Sequence, residues 1–385
     1  MRASSKLARI ALAVTVLAAI TAMLIGSSAG GAQAPASASA SLSVVGTGHR
    51  AASRRDSFIS VWPACACGSH TVLEQFSLAD GRSLGALARL PGGPGVQISD
   101  PHAVPTGPVW LTISAGPRYQ SGVAGGDPAP DSCSGKVVRF DPASEKSTTV
   151  LTVPSSELTA DAVPSPNGRL VVMVGGGCAT SYFNEHLVVE NLGSGKEWTI
   201  GADAAPCHAL FDAAWSPNGS HFVFPYGPSI LSPHTRFVPR GTCDAPRFSR
   251  LVVVPAGHAT PVRSWKLIQA DKGCSYMTAT FDRWGIAAIE GCEHGQPPGS
   301  HNDPNAGDAY LLQLNHRRRT VLRLPLARGY DGGGIATDPR TGTVLVSESQ
   351  SGSAGNFVWT YDGHKLRKIK RYANGDATTV VAEPW

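Results

Sequence analysis

One short turn, written three times, limits what this chain can fold into. Residues 211–219 read FDAAWSPNG; residues 161–168 repeat the pattern as DAVPSPNG, and residues 100–107 more loosely as DPHAVPTG. In every copy an Asp stands seven residues before a Gly, and an apolar run follows: VWLTI, RLVVMV and HFVF. Internal repetition of this kind governs the whole architecture. In SPNG, Pro217 presets the first central position of a type I turn, Asn218 accepts the second, and Gly219 takes the positive φ that closes the turn as a bulge. Each copy is therefore expected as two antiparallel strands joined by a tight hairpin.

The same plan can be followed through six units: strand, turn, strand, variable loop, strand, short turn, strand. The marker glycines 107, 168, 219, 285 and 342 are spaced by 61, 51, 66 and 57 residues. That interval suits a four-stranded propeller blade carrying loop insertions. The first unit lacks its innermost strand, and the tail DATTVVAEPW (376–385) offers a spare one that opens with the same Asp-Ala. The expected fold is an all-β propeller of six blades, with seven the alternative count. A C-terminal strand would close its ring and remove the open edge. Residues 56–385 form the propeller and 41–55 an irregular lead-in.

Residues 1–40 read as an export signal. Arg2, Lys6 and Arg9 precede an apolar run over 10–25, and Ala38-Ser39-Ala40 offers a cleavage site. The run is shorter than the ~20 residues of a spanning helix, so cleavage and secretion are expected, with an uncleaved anchor as the alternative. After cleavage no membrane insertion is expected. Of 33 basic residues three leave with the leader, so 30 remain against 28 acidic ones. This near balance gives no basis for nucleic-acid binding.

All eight cysteines lie beyond the leader: Cys65, Cys67, Cys133, Cys178, Cys207, Cys243, Cys274 and Cys292. An even number in an exported chain points to disulfides. Cys274 and Cys292 are equidistant from the turn around residue 283, so they should face each other across a hairpin.

The inner-strand pattern with its SPNG turn resembles the bacterial TolB-type, WD-like propeller repeat, which usually reads S-P-D-G. Residues 165–168 and 216–219 match it with Asn for Asp, while 104–107, 281–285 and 338–342 are degenerate. The resemblance spans about residues 56–385 and implies a propeller. It leaves function open, because such propellers serve as binding platforms, assembly factors and enzymes. The amino-terminal domain that accompanies the propeller in TolB is missing from this plan.

Several constellations can carry chemistry. Asp100, Asp161, Asp212 and Asp376 occupy equivalent inner-strand positions and would rim the central channel, where carboxylates can hold a divalent cation or simply bind backbone. CACGSH (65–70), Cys207-His208 and Cys292-Glu293-His294 have metal-ligand spacing, although disulfides account for the cysteines. Asp303, Asn305 and Asp308 supply oxygen ligands without the order of a calcium loop. Basic runs at 317–319 and 365–371 fall on outer hairpins, where charge discourages edge pairing. There is no H-E-x-x-H and no P-loop. The leading expectation is a secreted, monomeric, non-catalytic platform that binds a protein or glycan. Loops 116–135, 175–185, 225–249 and 293–308 would form the binding face, and no cofactor is required. The alternative is a propeller hydrolase or lyase with a metal or polar site at the channel mouth.

Overall fold

The computed structural model describes residues 44–48, 57–62, 71–91, 96–98, 101–103, 107–115, 134–153, 157–177, 186–201, 208–210, 213–228, 249–282, 285–293, 307–314, 318–324, 334–338, 341–348, 356–372 and 380–381. The leader (1–40), the loop segment 65–70 and the cysteines other than Cys274 and Cys292 lie outside the described residues.

Six antiparallel sheets follow one another along the chain. Blade A contains β1 (Val45–Gly46), β2 (Ser57–Trp62), β3 (Thr71–Ser77) and β4 (Ser83–Leu90). Blade B contains β5 (Val96–Ile98), β6 (His102–Ala103), β7 (Val109–Ala115), β8 (Ser134–Asp141) and β9 (Lys146–Val153). In blade C these are β10 (Glu157–Pro164), β11 (Leu170–Gly177), β12 (His186–Asn191) and β13 (Lys196–Ile200). Blade D has β14 (His208–Leu210), β15 (Ala214–Trp215), β16 (His221–Pro228), β17 (Arg250–Pro255) and β18 (Lys266–Gln269). Blade E has β19 (Cys274–Asp282), β20 (Gly285–Glu293), β21 (Gly307–Leu314) and β22 (Arg318–Arg323). Blade F has β23 (Ile335–Thr337), β24 (Val344–Glu348), β25 (Asn356–Tyr361) and β26 (Leu366–Tyr372). The last strand, β27 (Val380–Val381), returns to blade A, where Ser60 pairs with Val381 and Val61 with Val380. β5 with β6, and β14 with β15, are the two halves of one interrupted inner strand. The six-bladed propeller and its closure by the C-terminal strand are thus as the repeat plan requires.

The turns form for the reasons their sequence gives. In blade D the Gly219 N–H donates to the Ser216 carbonyl at 2.8 Å, the Ser216 N–H donates to the His221 carbonyl at 2.8 Å, and the His221 N–H donates to Ser216 Oγ at 3.0 Å. Gly219 sits at φ 68° and Gly168 at φ 65°. Asn218 Oδ1 accepts from the Ser220 N–H at 3.0 Å, and Asn167 Oδ1 from the Arg169 N–H at 3.0 Å. The corresponding turn of blade F has the same span, with the Asp338 N–H donating to the Thr343 carbonyl at 2.8 Å, but its Gly stands one position later. There Gly342 donates to the Asp338 carbonyl at 2.7 Å, and Thr341 Oγ1 donates to the Asp338 carboxylate.

The apolar runs after these turns are continuous because both faces of each second strand are buried. Along β7, Val109, Leu111 and Ile113 pack toward blade A, while Trp110 packs toward blade C. In β16, Phe222, Phe224 and Tyr226 face blade C and Val223 faces blade E. Ala287 and Ile289 of β20 join Val344 and Val346 of β24, and Leu345 joins Phe58 and Phe76 of blade A. Every pair of neighbouring blades, including F with A, therefore shares an apolar layer.

Two places depart from the sequence expectation. Within the lead-in 41–55, β1 adds an outer strand to blade A, pairing Val45 with Arg89 and Gly46 with Ala88. Blade B anchors it: Ser147 Oγ donates to the Val44 carbonyl at 3.0 Å, and the Gly48 N–H donates to Glu145 Oε2 at 2.9 Å. In blade D, a strand is expected over 262–268. The chain instead makes a 3-10 turn at Val262–Ser264, and the strand starts at Lys266. Trp265 explains this shift. Its indole N–H donates to the Thr260 carbonyl at 3.2 Å, and its ring meets Tyr226 and Phe224 edge to face.

Candidate functional site

Antiparallel order makes the two ends of every blade unlike. At one end lie the inner turns 165–169 and 216–220 and most of the short outer turns. From the other end leave the connections between second and third strands, from 349–355, the shortest, to 229–249, the longest. All six depart from the same end, because the second strand of each blade runs the same way. The last paired residues before the loops, Ala115 with Ser134, Gly175 with His186 and Glu293 with Gly307, mark its rim.

The turn end offers little chemistry. The Ser, Asn and Gly of each SPNG are consumed within the turn: Ser216 Oγ meets Asn218 Oδ1 at 2.8 Å, and Ser165 Oγ meets Asn167 Oδ1 at 2.9 Å. Trp215 Nε1 donates to the Val163 carbonyl at 2.9 Å, tying the inner strands of blades C and D together. The most repeated motif of the chain is therefore structural.

Inner strands share a second feature that their sequence does not announce. In blade C, Thr159 pairs with Gly175 and Ala162 with Met173, so two residues oppose one. In blade B, Ile98 pairs with Ile113 and His102 with Trp110, so three residues oppose two. In blade D, Leu210 pairs with Tyr226 and Ala214 with Val223, again three opposing two. Blade E carries the same one-residue excess at Met277. Bulges of this kind bend a strand and re-aim its side chains. Asp161 falls within the bulge of β10. Asp100 and Asp212 stand in sequence between the paired segments of blades B and D. They and Asp376 lie outside the described residues, as do Asp303 and Asn305.

The most fully built corner of the loop end belongs to blade E. Cys274 opens β19 and stands directly opposite Cys292 of β20. Their sulfurs are bonded at 2.08 Å, with a Cα–Cα separation of 4.0 Å. Glu290, two residues before Cys292, lies on the same face of β20 and is only 2% exposed. Its Oε1 accepts from the Asp271 N–H at 2.9 Å. The Cys274 N–H donates to the Asp271 carbonyl at 2.9 Å, and Gly273, at φ 80°, supplies the positive φ of that turn. Tyr276, opposite Glu290, donates its hydroxyl to the Gln269 carbonyl at 3.1 Å. Ligand atoms of Cys274, Glu290 and Cys292 all lie within 4.8 Å of one another. Cysteine spacing alone locates the pair. Glu290 joins it only through the strand register.

The basic run at 365–371 lies on β26, an outer strand, as expected. Lys368 Nζ sits 4.6 Å from the ring centre of Phe357 and 5.4 Å from that of Trp359, and Lys370 Nζ sits 4.7 Å from Phe76. Arg367 donates to the Leu78 carbonyl at 3.2 Å. These cations fasten the edge strand and the seam between blades F and A.

No protein-family model matches the chain, and no curated protein matches it in sequence. Solved structures do match in shape. TolB from Acinetobacter baumannii superposes with a TM-score of 0.52 at 12% identity, over 85% of this chain and 66% of that one. A putative TolB from Agrobacterium tumefaciens gives 0.43 at 11% identity, over 85% of this chain and 97% of that one. An oligogalacturonate lyase in complex with manganese gives 0.44 at 11% identity, over 82% and 78%. The chain thus spans less than two thirds of the Acinetobacter TolB chain. The first likeness defines the class: this is a six-bladed β-propeller with the TolB-like fold that the SPNG repeat led one to expect.

Proposed function

We propose that this protein is an exported, non-catalytic propeller that binds a protein or glycan partner with its loop-bearing end. One observation carries the reading. The connections of highly variable length all leave one end of a closed ring, whereas the other end is mostly tight turns whose polar groups are internally spent. Rigid scaffolds that collect loops at one end are the usual platforms for recognition. Among the described residues no helix is long and apolar enough to cross a membrane, and the disulfide of blade E suits an oxidising compartment.

The test is binding of the mature chain to a glycan array and to isolated cell-envelope fractions. It is run beside a variant in which residues 231–247 are replaced by a short Gly-Ser connector. Retained melting temperature with lost binding supports the reading; undiminished binding sinks it.

A second reading draws on the sequence repeat, in which Asp100, Asp161 and Asp212 each stand seven residues before the turn glycine. Carboxylates converging on a channel would need a cation, because like charges raise one another's pKa. In that case the protein is a hydrolase or lyase with a divalent ion at the channel mouth. Native mass spectrometry should then show one bound ion that the paired change Asp161→Asn, Asp212→Asn removes. An ion-free native mass would exclude this reading.

A further inference from the structure

We infer that Cys274, Cys292 and Glu290 form a redox-gated site for a soft divalent metal, with the disulfide as its closed state. The inference is independent of any partner at the loops. Three observations carry it. First, the three ligand atoms are mutually within 4.8 Å. A tetrahedral zinc site needs sulfurs about 3.8 Å apart and sulfur–oxygen distances of about 3.6 Å, given bonds of about 2.3 and 2.1 Å. Opening the bridge frees both sulfurs to separate toward that spacing.

Second, Glu290 is a buried carboxylate that the loop-end corner holds in place through Asp271. A carboxylate has about four acceptor positions, so hydrogen bonds and a metal bond can share it. Two thiols released beside it complete a donor set of two sulfurs and one oxygen, which suits a borderline-soft divalent ion. Third, the strands do not depend on the bridge for their register. β19 and β20 are paired from Cys274–Cys292 to Asp282–Gly285, and both faces of β20 are packed, with Ile286 and Ala288 toward blade D and Ala287 and Ile289 toward blade F. Cys274 is half-buried whereas Cys292 and Glu290 are buried, so a reductant approaches from the Cys274 side.

The chemistry balances with a dithiol as reductant. Its two sulfurs form a new disulfide, two electrons pass to Cys274 and Cys292, and each of these takes up one proton. A zinc ion then displaces both protons, forming two thiolate bonds and one bond to Glu290, with water completing the tetrahedron. Three protein ligands and one open position make an exchangeable site, unlike a closed four-ligand structural one.

The experiment uses the full mature chain, reduced and desalted without oxygen, and follows alkylation of each cysteine separately by isotope-coded iodoacetamide. One equivalent of zinc should slow alkylation of both Cys274 and Cys292 by about tenfold or more, because a bound thiolate is a poor nucleophile. Glu290→Gln should abolish most of that protection. Equal rates with and without zinc, or full protection in Glu290→Gln, overturn the inference. If Glu290→Gln fails to fold, the melting temperature of the reduced chain decides. A zinc-dependent rise that is absent from the Cys274→Ser, Cys292→Ser double variant supports the site. A rise equal in both, or none, overturns it.

Discussion

Single residues in this propeller are chosen mostly by backbone conformation and by cross-strand neighbours. Gly219 and Gly168 hold positive φ at the ends of their turns, a region that costs an L-residue about 1–2 kcal/mol. Gly219→Ala should therefore lower stability by about 1 kcal/mol, read as a shift in the urea midpoint with an unchanged slope. An unmoved midpoint would show that the turn relaxes. A second residue-scale effect is electrostatic. Glu190 of β12 pairs directly with Glu197 of β13. Burial, and then the Glu197 charge, raise the Glu190 carboxyl above the ordinary glutamate range. A raised carboxyl favours the fold only while it is protonated. Its contribution is present below the ordinary value of about 4.3 and is lost as pH rises through the raised one. Glu197→Lys should then stabilise the protein at pH 7 by a few tenths of a kcal/mol, as an opposite-charge cross-strand pair does. The gain should shrink toward pH 4 in a series of thermal melts.

Strands and hairpins carry the next level. β27 pairs with β2 at two positions only, yet it covers the inner edge of blade A. Removing residues 376–385 should cost about 2 kcal/mol in lost ladder bonds and packing. It should also expose an edge that templates pairing between chains. The expected result is a melting temperature lowered by roughly 3 °C, with dimers or larger species by light scattering. A monomer of unchanged stability would show that β27 is dispensable. At the same scale, the inner strands of blades B, C, D and E carry one extra residue against their neighbour, which bends them.

The whole molecule is a ring of six blades held by apolar layers between neighbours, and the layer between blades F and A is the one that closes the ring. Phe58 and Phe76 stack at 5.3 Å there, beside Leu345, Val358 and Ile369. Gly81 is where blade A's outer turn meets β26. A Cβ at Gly81 would lie 1.8 Å from the Ile369 carbonyl oxygen, and its φ is 67°. Gly81→Ala must push blade F away from blade A. It should cost about 3 kcal/mol through overpacking and strain, well beyond the loss at Gly219. Comparable losses in the two variants would show that the seam opens freely.

What the chain declares by itself is its local structure. Pro217, Asn218 and Gly219 specify a turn whose bonds span only a few residues, and the equidistance of Cys274 and Cys292 from residue 283 follows from hairpin symmetry alone. The Asp-Ala at 376–377 hints at the closing strand because it copies a pattern seen elsewhere in the chain. Tertiary structure decided what depends on distant partners. Trp265 breaks its expected strand because Tyr226 and Phe224 offer a site for its ring. Val45 and Gly46 become a strand because β4 leaves an edge and Glu145 and Ser147 hold them there. Glu290 shares the face of Cys292 by alternation along β20, and the extra residue at Met277 brings Cys274 opposite that face. Turn chemistry is written in neighbouring residues, whereas packing between blades depends on which surfaces the closed ring brings face to face.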